Sequence, residues 1–322
     1  MSISRAISEG LRRVLAAPRL IVLLWLASVL CALPASLMMR EVLADSLASS
    51  LASREMLQGF DLGWYAEFAA RAGGFEKTFT PAVSGPGPVL DNLQAWWNGG
   101  LFTAYPGLVA LALGYAVLWA FLLGGVLDHL ARPRGRFARD RFFMAGGRFL
   151  PRFLALAAMS GVLYFLIYQL GRRLYRWIDS ASRDVTEEKT VLLWVVAASL
   201  LVTFLLHAVR MVFDYAKIAT VVDARGNVLG SVAAAVRLVL RHPLSTFGVY
   251  YALTALGAAL IALYAWLAPG AGQATFAGIA AVFLFGQLYL AARLVVRLGL
   301  LSSQTSLYRT MLGAGRESTE AR

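Results

Sequence analysis

The strongest constraint on the fold is a set of six long apolar stretches that contain no Asp, Glu, Lys or Arg. A helix needs about 20 mostly apolar residues to cross the hydrocarbon core of a bilayer, and each stretch is close to that length. The 322-residue chain is 59% hydrophobic and only 15% charged, so it has too little polar surface for a water-soluble globule. The predicted membrane spans are 20–39, 106–127, 153–170, 191–209, 246–267 and 276–292.

These spans predict an all-α, polytopic membrane protein that forms a single membrane domain over residues 1–322. The basic leader before the first span is also typical of a secretory signal peptide. The apolar core of that span is longer than a signal peptide needs, and no A-x-A cleavage site follows it, so we expect an uncleaved helix. Cys31 is the single cysteine, which excludes an intramolecular disulfide and a multi-cysteine metal site.

The distribution of charge outside the spans predicts the orientation of the chain. Alternate segments carry 21 basic and 7 acidic residues on one side of the membrane, against 9 basic and 11 acidic residues on the other. Cytoplasmic loops are enriched in Lys and Arg, so we expect the first side, with both termini, to face the cytoplasm of a bacterial inner membrane. Anionic headgroups attract this positive charge, which accounts for the net charge of +12 without a nucleic-acid partner.

A repeated pattern precedes each odd-numbered span: an amphipathic segment and then a proline. The segments are 5–17, 137–150 and 230–242, followed by Pro18, Pro151 and Pro243. Helices of this kind lie in the membrane interface with their arginines toward phosphates. We therefore predict three units, each an interfacial helix followed by a transmembrane hairpin. The alternative is that any basic interfacial helix shows the same pattern.

The first and third segments match residue by residue when Pro18 is aligned with Pro243. Arg12 then falls on Arg237, Val14 on Val239 and Leu15 on Leu240. In the first segment Ile3, Ile7, Leu11 and Val14 keep helical spacing, as Val232, Val236 and Val239 do in the third. We predict that these valines, isoleucines and leucines form the apolar faces. The predicted contacts with anionic lipid are Arg12, Arg13, Arg237 and Arg241.

A second group of charges lies at the cytoplasmic ends of the even-numbered spans. Spacings of three and four residues place Arg210, Asp214 and Lys217 on one stripe of a helix, together with His207. Charges at this depth usually face the bundle interior and pair with one another. Because the span centres hold no charge, we favour structural pairing over a proton or ion path. The predicted cluster comprises Asp128, Arg132, Arg210, Asp214, Lys217, Arg293 and Arg297.

The longest segment between spans is an external loop at residues 40–105. Segment 41–58 has a helix-forming composition, and we predict that it extends the first span outward. Asp61 is expected to cap a helix that ends at Arg71, with Leu62, Tyr65 and Phe68 on one face. A breaker at 79–90 and a short helix at 92–98, capped by Asp91, complete the prediction. We interpret the loop as a lid on the bilayer, with a cap that grips a partner or substrate as the alternative.

The sequence contains none of the usual catalytic or phosphate-binding signatures, such as HExxH, GxSxG or Walker A. We therefore predict a non-enzymatic protein, without cofactor or metal, that organises lipid or a protein partner as a scaffold, complex subunit or homo-oligomer. The alternative is a small-molecule or lipid transporter, which breaks at mid-membrane Gly or Pro would mark. The residues in the spans that favour that alternative are Pro34 and the scattered glycines Gly114, Gly161 and Gly257.

Five motifs occur in order along the chain: LQAWWNGGLF (93–102), FLLGGVLD (121–128), FFMAGGRFLPRF (142–153), FDYAKI (213–218) and VRLVLRHP (236–243). This series resembles a family of uncharacterised bacterial six-helix integral membrane proteins. More loosely, it is similar to the membrane domain of some glycerophosphodiester phosphodiesterases. The resemblance covers the chain from Leu93 to about Arg297. It implies the fold and the location, and it assigns no activity and no residue role.

Single cysteines in a Cys31→Ser background test the predicted orientation. A membrane-impermeant thiol reagent applied to intact spheroplasts should label external positions and spare cytoplasmic ones, because Lys and Arg mark the cytoplasmic side. Labelling of position 136 in intact spheroplasts would contradict the orientation. The external positions are Gln94 and Gly272, and the cytoplasmic positions are Arg136, Asn227 and Gly315.

Overall fold

The protein is all-helical in a computed structural model, which shows no strand among the residues that it describes. The described residues are 2–48, 50, 52–55, 60–80, 105–132, 137–224, 226–267 and 275–320. The helices are α1 (Ile3–Leu15), α2 (Pro18–Ala48), α3 (Ala52–Glu55), α4 (Leu62–Arg71), α5 (Pro106–Leu130), α6 (Arg139–Ala181), α7 (Glu188–Val222), α8 (Val228–Arg241), α9 (Pro243–Leu267) and α10 (Phe276–Glu320). Two short 3₁₀ turns lie at Glu76–Thr78 and Ser182–Asp184.

Six helices are long and apolar enough to cross a membrane: α2, α5, α6, α7, α9 and α10. Each contains one of the predicted spans, which confirms the prediction of six membrane-spanning helices. Two are much longer than a span, with 43 residues in α6 and 45 in α10. At about 1.5 Å per residue, 45 residues reach well beyond a hydrocarbon core of about 30 Å. These two helices therefore have segments that lie outside the apolar layer.

The surface of the first spanning helix is apolar on its exposed side. Val22, Leu26, Leu30, Leu33 and Leu37 follow one another at helical spacing, and each is between 41% and 58% exposed. Exposing such a stripe to water is unfavourable, at roughly 25 cal/mol for each Å² of apolar surface. Acyl chains remove that cost, so this pattern of exposure is typical of a lipid-facing helix.

Contacts between Cα atoms divide the chain into two compact units. Unit 1 comprises Met1–Arg13, Ala120–Tyr251 and Leu300–Arg322, and unit 2 comprises Val14–Trp119 and Ala252–Gly299. In unit 1, α6 packs along α7, and α7 packs along α8. The core of unit 1 contains large buried side chains from these helices: Phe142, Phe149, Phe153, Leu156, Met211, Tyr215 and Ile218.

Glycines bring α5 and α6 into close contact within unit 1. A Cβ atom built at Gly125 would lie 2.7 Å from the carbonyl oxygen of Phe142. A Cβ atom at Gly146 would lie 2.9 Å from the carbonyl oxygen of Phe121. Both obstacles are backbone atoms, which cannot move aside as a flexible side chain can. Small residues at such a crossing let two membrane helices approach closely, so the Gly-Gly pairs of two of the quoted motifs meet here.

In unit 2, α4 packs against the part of α2 beyond the predicted span and forms a small apolar core, here called the cap cluster. Its buried members are Ala52, Trp64, Phe68 and Ala72. Asp61 caps α4 as predicted: its carboxylate accepts hydrogen bonds from the backbone N–H groups of Gly63 (2.8 Å) and Trp64 (3.1 Å). The indole N–H of Trp64 donates to Ser46 Oγ at 3.2 Å, which ties α4 to α2.

Hydrogen bonds between polar side chains join the spanning helices of unit 2. Trp25 Nε1 of α2 donates to Gln287 Oε1 of α10 at 2.9 Å. Ser28 of the same helix lies 3.5 Å from the hydroxyl of Tyr115 on α5. Gln287 is one of the few polar residues within the predicted spans, and its amide oxygen thus has a partner inside the protein.

One local prediction differs from the structure. The segment before Pro151 is not a separate helix, because α6 runs through Pro151 without a break. Proline is tolerated in long membrane helices when nearby groups satisfy the carbonyl that it leaves free.

The structure also shows which side chains of α4 and α1 are buried. In α4, Trp64 and Phe68 are buried, and Leu62 is 69% exposed. In α1, Ala6 and Val14 are buried, and Ile3 is 37% exposed.

The predicted extension of the first span is confirmed as far as Ala48, where α2 ends. The short helix at 92–98, its cap Asp91, most of the breaker at 79–90 and the motif at 93–102 lie outside the described residues.

Alanine substitutions at two adjacent glycines test the contact between α5 and α6. Gly146→Ala should destabilise the protein by about 1–3 kcal/mol, the usual cost of overpacking against backbone. Gly147→Ala is the matched control, because a Cβ there would only touch the Phe121 ring at 4.0 Å. The control should be neutral or slightly stabilising, since Ala favours a helix over Gly. Thermal unfolding of both variants in detergent gives the comparison, and equal melting temperatures would contradict the close approach.

Candidate functional site

The structure divides the predicted charge cluster into separate contacts. At the end of α5, Asp128 forms an ion pair with Arg132, and Arg141 Nε lies 3.7 Å from the same carboxylate. The Asp128 and Arg132 side chains are 22% and 23% exposed. Burial and the positive charge of Arg141 both lower the pKa of Arg132, which lies beyond the end of α5. Two guanidinium groups therefore share one carboxylate on unit 1.

The second contact joins two residues of α7. Lys217 Nζ donates to Asp214 Oδ1 at 3.1 Å, and the two side chains are 22% and 13% exposed. The neighbouring residues from Phe213 to Thr220 are almost all buried, so this pair lies within the packed part of unit 1. Arg210 is exposed and lies outside this pair. Of the two partners that spacing predicted for Asp214, the structure selects Lys217.

The third part of the predicted cluster lies in unit 2. The guanidinium of Arg297 sits over the Trp119 ring, 3.9 Å from its centroid. A guanidinium over an indole face is a favourable cation–π contact. Helical spacing could not pair these two residues, because it relates positions within one helix and not α5 with α10. Arg293 lies one turn before Arg297 and is exposed.

The remaining polar residue of the α7 stripe, His207, packs against aromatic side chains. Its ring centroid lies 5.7 Å from those of Tyr250 and Tyr251. This placement supports a packing role. Among the described residues, no three His, Cys, Asp or Glu side chains gather into a possible metal site.

The predicted lipid contacts lie on the exposed edges of α1 and α8. Arg12, Arg237 and Arg241 are exposed, whereas Arg13 is half-buried and forms an ion pair with Glu9. Beside the exposed arginines stand exposed leucines, with Leu15 at 64% and Leu240 at 74%. We call Arg12 with Leu15, and Arg237 with Leu240 and Arg241, the arginine–leucine edges.

The alignment of Pro18 with Pro243 also superposes the buried positions of these two helices. Ala6, Gly10 and Val14 are buried in α1, and the aligned Ser231, Ala235 and Val239 are buried in α8. Both helices therefore pack through a stripe of small residues and present an arginine and a leucine outward. The segment before Pro151 lacks this arrangement, because its residue aligned with Arg237 is Ala145, which is buried.

A buried polar segment in α10 was not predicted. Ser302, Ser303, Gln304 and Thr305 are at most 1% exposed, and Ser306 is 6% exposed. Ser302 Oγ, Ser303 Oγ and both amide atoms of Gln304 have no hydrogen-bond partner among the described residues. Buried groups of this kind are usually satisfied by ordered water. The available sequence signal was the run SSQTS, which directly follows the apolar residues LGLL of the same helix.

This polar segment lies close to α1 within unit 1. A Cβ built at Gly10 would lie 2.8 Å from the backbone nitrogen of Ser303. Further along α10, the Tyr308 hydroxyl donates to Asp223 Oδ2 at 2.7 Å, and Arg309 donates to the carbonyl oxygen of Ala131. These contacts tie the last part of α10 to the ends of α7 and α5.

Unit 2 contains an open groove beside the cap cluster, here called the cap groove. Its volume is about 750 Å³. Most of its lining side chains are apolar, and Arg40 is the charged one. The lining residues are Ala35, Ser36, Met39, Arg40, Leu43, Ala44, Leu47, Phe75, Thr78, Phe79 and Leu108.

Comparisons with known proteins give no relative: no protein-family model, curated protein or solved structure matches the chain. The functional argument therefore depends on the chemistry of the described residues.

A double-mutant cycle tests whether Asp214 and Lys217 form a structural pair. Asp214→Asn should lower stability by about 1–3 kcal/mol, because it leaves a partly buried ammonium without its carboxylate. The loss should be smaller in a Lys217→Gln background, since the unpaired charge is then absent. Thermal unfolding in detergent of the wild type, the two single variants and the double variant completes the cycle.

Asp179→Asn is the matched control, because Asp179 is 77% exposed in its pair with Arg183. Exposed pairs contribute about 0–1 kcal/mol, so this variant should unfold close to the wild type. A wild-type melting curve for Asp214→Asn would contradict structural pairing. If such a variant also lost a pH-dependent flux, a proton path would be favoured.

Proposed function

We propose that this is a non-enzymatic multi-pass protein of the bacterial inner membrane that holds anionic lipid headgroups at its cytoplasmic face. In this proposal both termini are cytoplasmic, α1 and α8 lie along the interface, and each precedes a transmembrane hairpin. The protein then acts as a lipid-organising scaffold, alone or as a subunit of a larger complex. The observation that carries the proposal is the pair of matching arginine–leucine edges.

The chemistry of these edges fits the boundary between headgroups and acyl chains. An exposed leucine is unfavourable in water, and an exposed arginine is unfavourable in hydrocarbon. At the interface both are satisfied, because the leucine enters the acyl boundary and the guanidinium reaches phosphates. Each basic residue near an anionic surface contributes roughly 1 kcal/mol. The charge distribution of the sequence supports the same side for both edges.

The alternative proposal is a transporter of lipid or a small molecule. Transporter sites are commonly built where spanning helices are broken at mid-membrane. Over the described residues the six long helices run without a break, including α2 at Pro34. The ion pair of Asp214 with Lys217 lies beyond the predicted span 191–209, near one end of the apolar layer. Both observations favour the scaffold proposal.

Neutralising the three exposed arginines of the edges tests the proposal. The variant Arg12→Gln, Arg237→Gln, Arg241→Gln should lose about 3 kcal/mol of headgroup attraction, or about two orders of magnitude in affinity. Native mass spectrometry of protein from mixed phosphatidylglycerol and phosphatidylcholine should then show less retained phosphatidylglycerol. Its melting temperature should stay close to that of the wild type, because these side chains are exposed.

The matched control neutralises three exposed arginines on the side predicted to be external: Arg71, Arg173 and Arg183. This control should retain phosphatidylglycerol as the wild type does. Equal retention by the wild type and the edge variant would show that α1 and α8 are only structural. Equal losses in both variants would show a general charge effect and would also contradict the proposal.

A further inference from the structure

The cap groove continues past the predicted outer end of the first span. The predicted span ends at residue 39, and the groove is lined on α2 from Ala35 to Leu47. The lining of α2 from Arg40 to Leu47 covers seven residues of helix, which rise about 10 Å. One leaflet contributes about 15 Å, half of a hydrocarbon core of about 30 Å. The part of the groove beyond Arg40 is therefore as long as about two thirds of an acyl chain within a leaflet.

The walls beyond residue 39 are apolar although they lie outside the predicted span. Leu43, Leu47, Phe75 and Phe79 line this part of the groove, and none of the four is fully buried. Leu43, Leu47 and Phe79 also pack against the cap cluster, so the ordered side chains of that cluster support the groove wall. Contact between water and an open apolar groove of this kind is unfavourable, so an apolar occupant would stabilise it.

Charge indicates which apolar occupant fits. Arg40 lies at the predicted membrane edge, lines the groove and is exposed. Among the described residues Arg40 has no ion pair and no hydrogen-bond acceptor for its guanidinium. A guanidinium at this depth is matched by a phosphate oxygen. An apolar groove with one cation at the predicted membrane edge thus complements a phosphate attached to a long hydrocarbon chain.

We propose that the cap groove binds one phospholipid of the outer leaflet, with its phosphate on Arg40 and one acyl chain along Leu43, Leu47, Phe75 and Phe79. The chain in the groove extends outward from the bilayer, while the second chain stays in the leaflet. This site is separate from the arginine–leucine edges and needs no lipid bound there. Its assignment to the outer leaflet rests on the orientation given in the proposed function. It makes the external loop a lipid-holding cap.

Photo-cross-linking in lipid nanodiscs tests the groove with the full-length protein. The probe is phosphatidylglycerol with a diazirine at the end of one acyl chain, and mass spectrometry maps the labelled peptides. We expect labelling between Arg40 and Leu47 or between Phe75 and Phe79, in addition to labelling of the lipid-facing stripe of α2. Labelling confined to the predicted spans would overturn the proposal.

Two substitutions on one helix separate groove occupancy from general lipid contact. Ala44→Trp places a large side chain in the groove and should remove the cap labelling. Ala48→Trp is the matched control, because Ala48 is exposed one turn further along α2 and does not line the groove. Labelling of the stripe at Val22 and Leu26 should be unchanged in both variants, which also verifies their folding. Cap labelling that survives Ala44→Trp would overturn the proposal.

A comparison of two lipid probes tests the role of Arg40. A diacylglycerol with the same diazirine chain lacks the phosphate, and it should label the cap about fivefold less than phosphatidylglycerol, as expected for one basic residue at a headgroup. Arg40→Gln should remove that difference. Displacement of the lipid label by inorganic phosphate would assign Arg40 to a free anion and contradict the lipid assignment. The edge variant at Arg12, Arg237 and Arg241 should keep its cap labelling, so the two lipid proposals can fail separately.

Discussion

The absence of water in the hydrocarbon layer is the constraint on which the rest of this structure depends. Every backbone N–H and C=O group in that layer must find a partner within the protein, and a helix satisfies them along its own length. The six spanning helices follow from this. Their apolar surfaces follow as well, with exposed leucines such as Leu26 and Leu30 on α2. In such helices a hydrophobic drive cannot hold one helix to another, because acyl chains are equally good partners for leucine.

Close contact and specific polar pairs therefore hold the helices together. In unit 1, Gly125 and Gly146 allow α5 and α6 to touch through their backbones. In unit 2, Trp25 and Gln287 connect α2 with α10 by a hydrogen bond. The first contact is stabilised by close packing and the second by satisfying two polar groups. Neither depends on burying apolar surface away from water. Gly10 of α1 approaches the backbone of Ser303 in the same close way, in the part of α10 beyond the predicted span.

Charged residues lie at the ends of the predicted spans, and their surroundings differ from one residue to the next. Asp214 with Lys217 and Asp128 with Arg132 are paired within the protein, and Arg297 lies on the Trp119 ring. The exposed Arg12 and Arg237 have instead an exposed leucine beside them. Paired charges stabilise the helical bundle, whereas unpaired arginines beside leucines suit a lipid surface. This difference in environment is the physical basis of the proposed function.

The sequence alone determined the features that arise from neighbours along the chain. The length of each apolar stretch identified the spans, and the position of Asp61 before an apolar helix identified the α4 cap, because both depend on local backbone hydrogen bonds. Spacing also limited the partners of Asp214 to residues one turn away. Only the tertiary structure decided that Lys217 and not Arg210 pairs with Asp214. It also decided which residues of α1 are buried, among them Ala6 and Gly10, and that α6 continues through Pro151. Those outcomes depend on which distant helix lies alongside, and helical periodicity describes the faces of one helix without saying which face its neighbour covers.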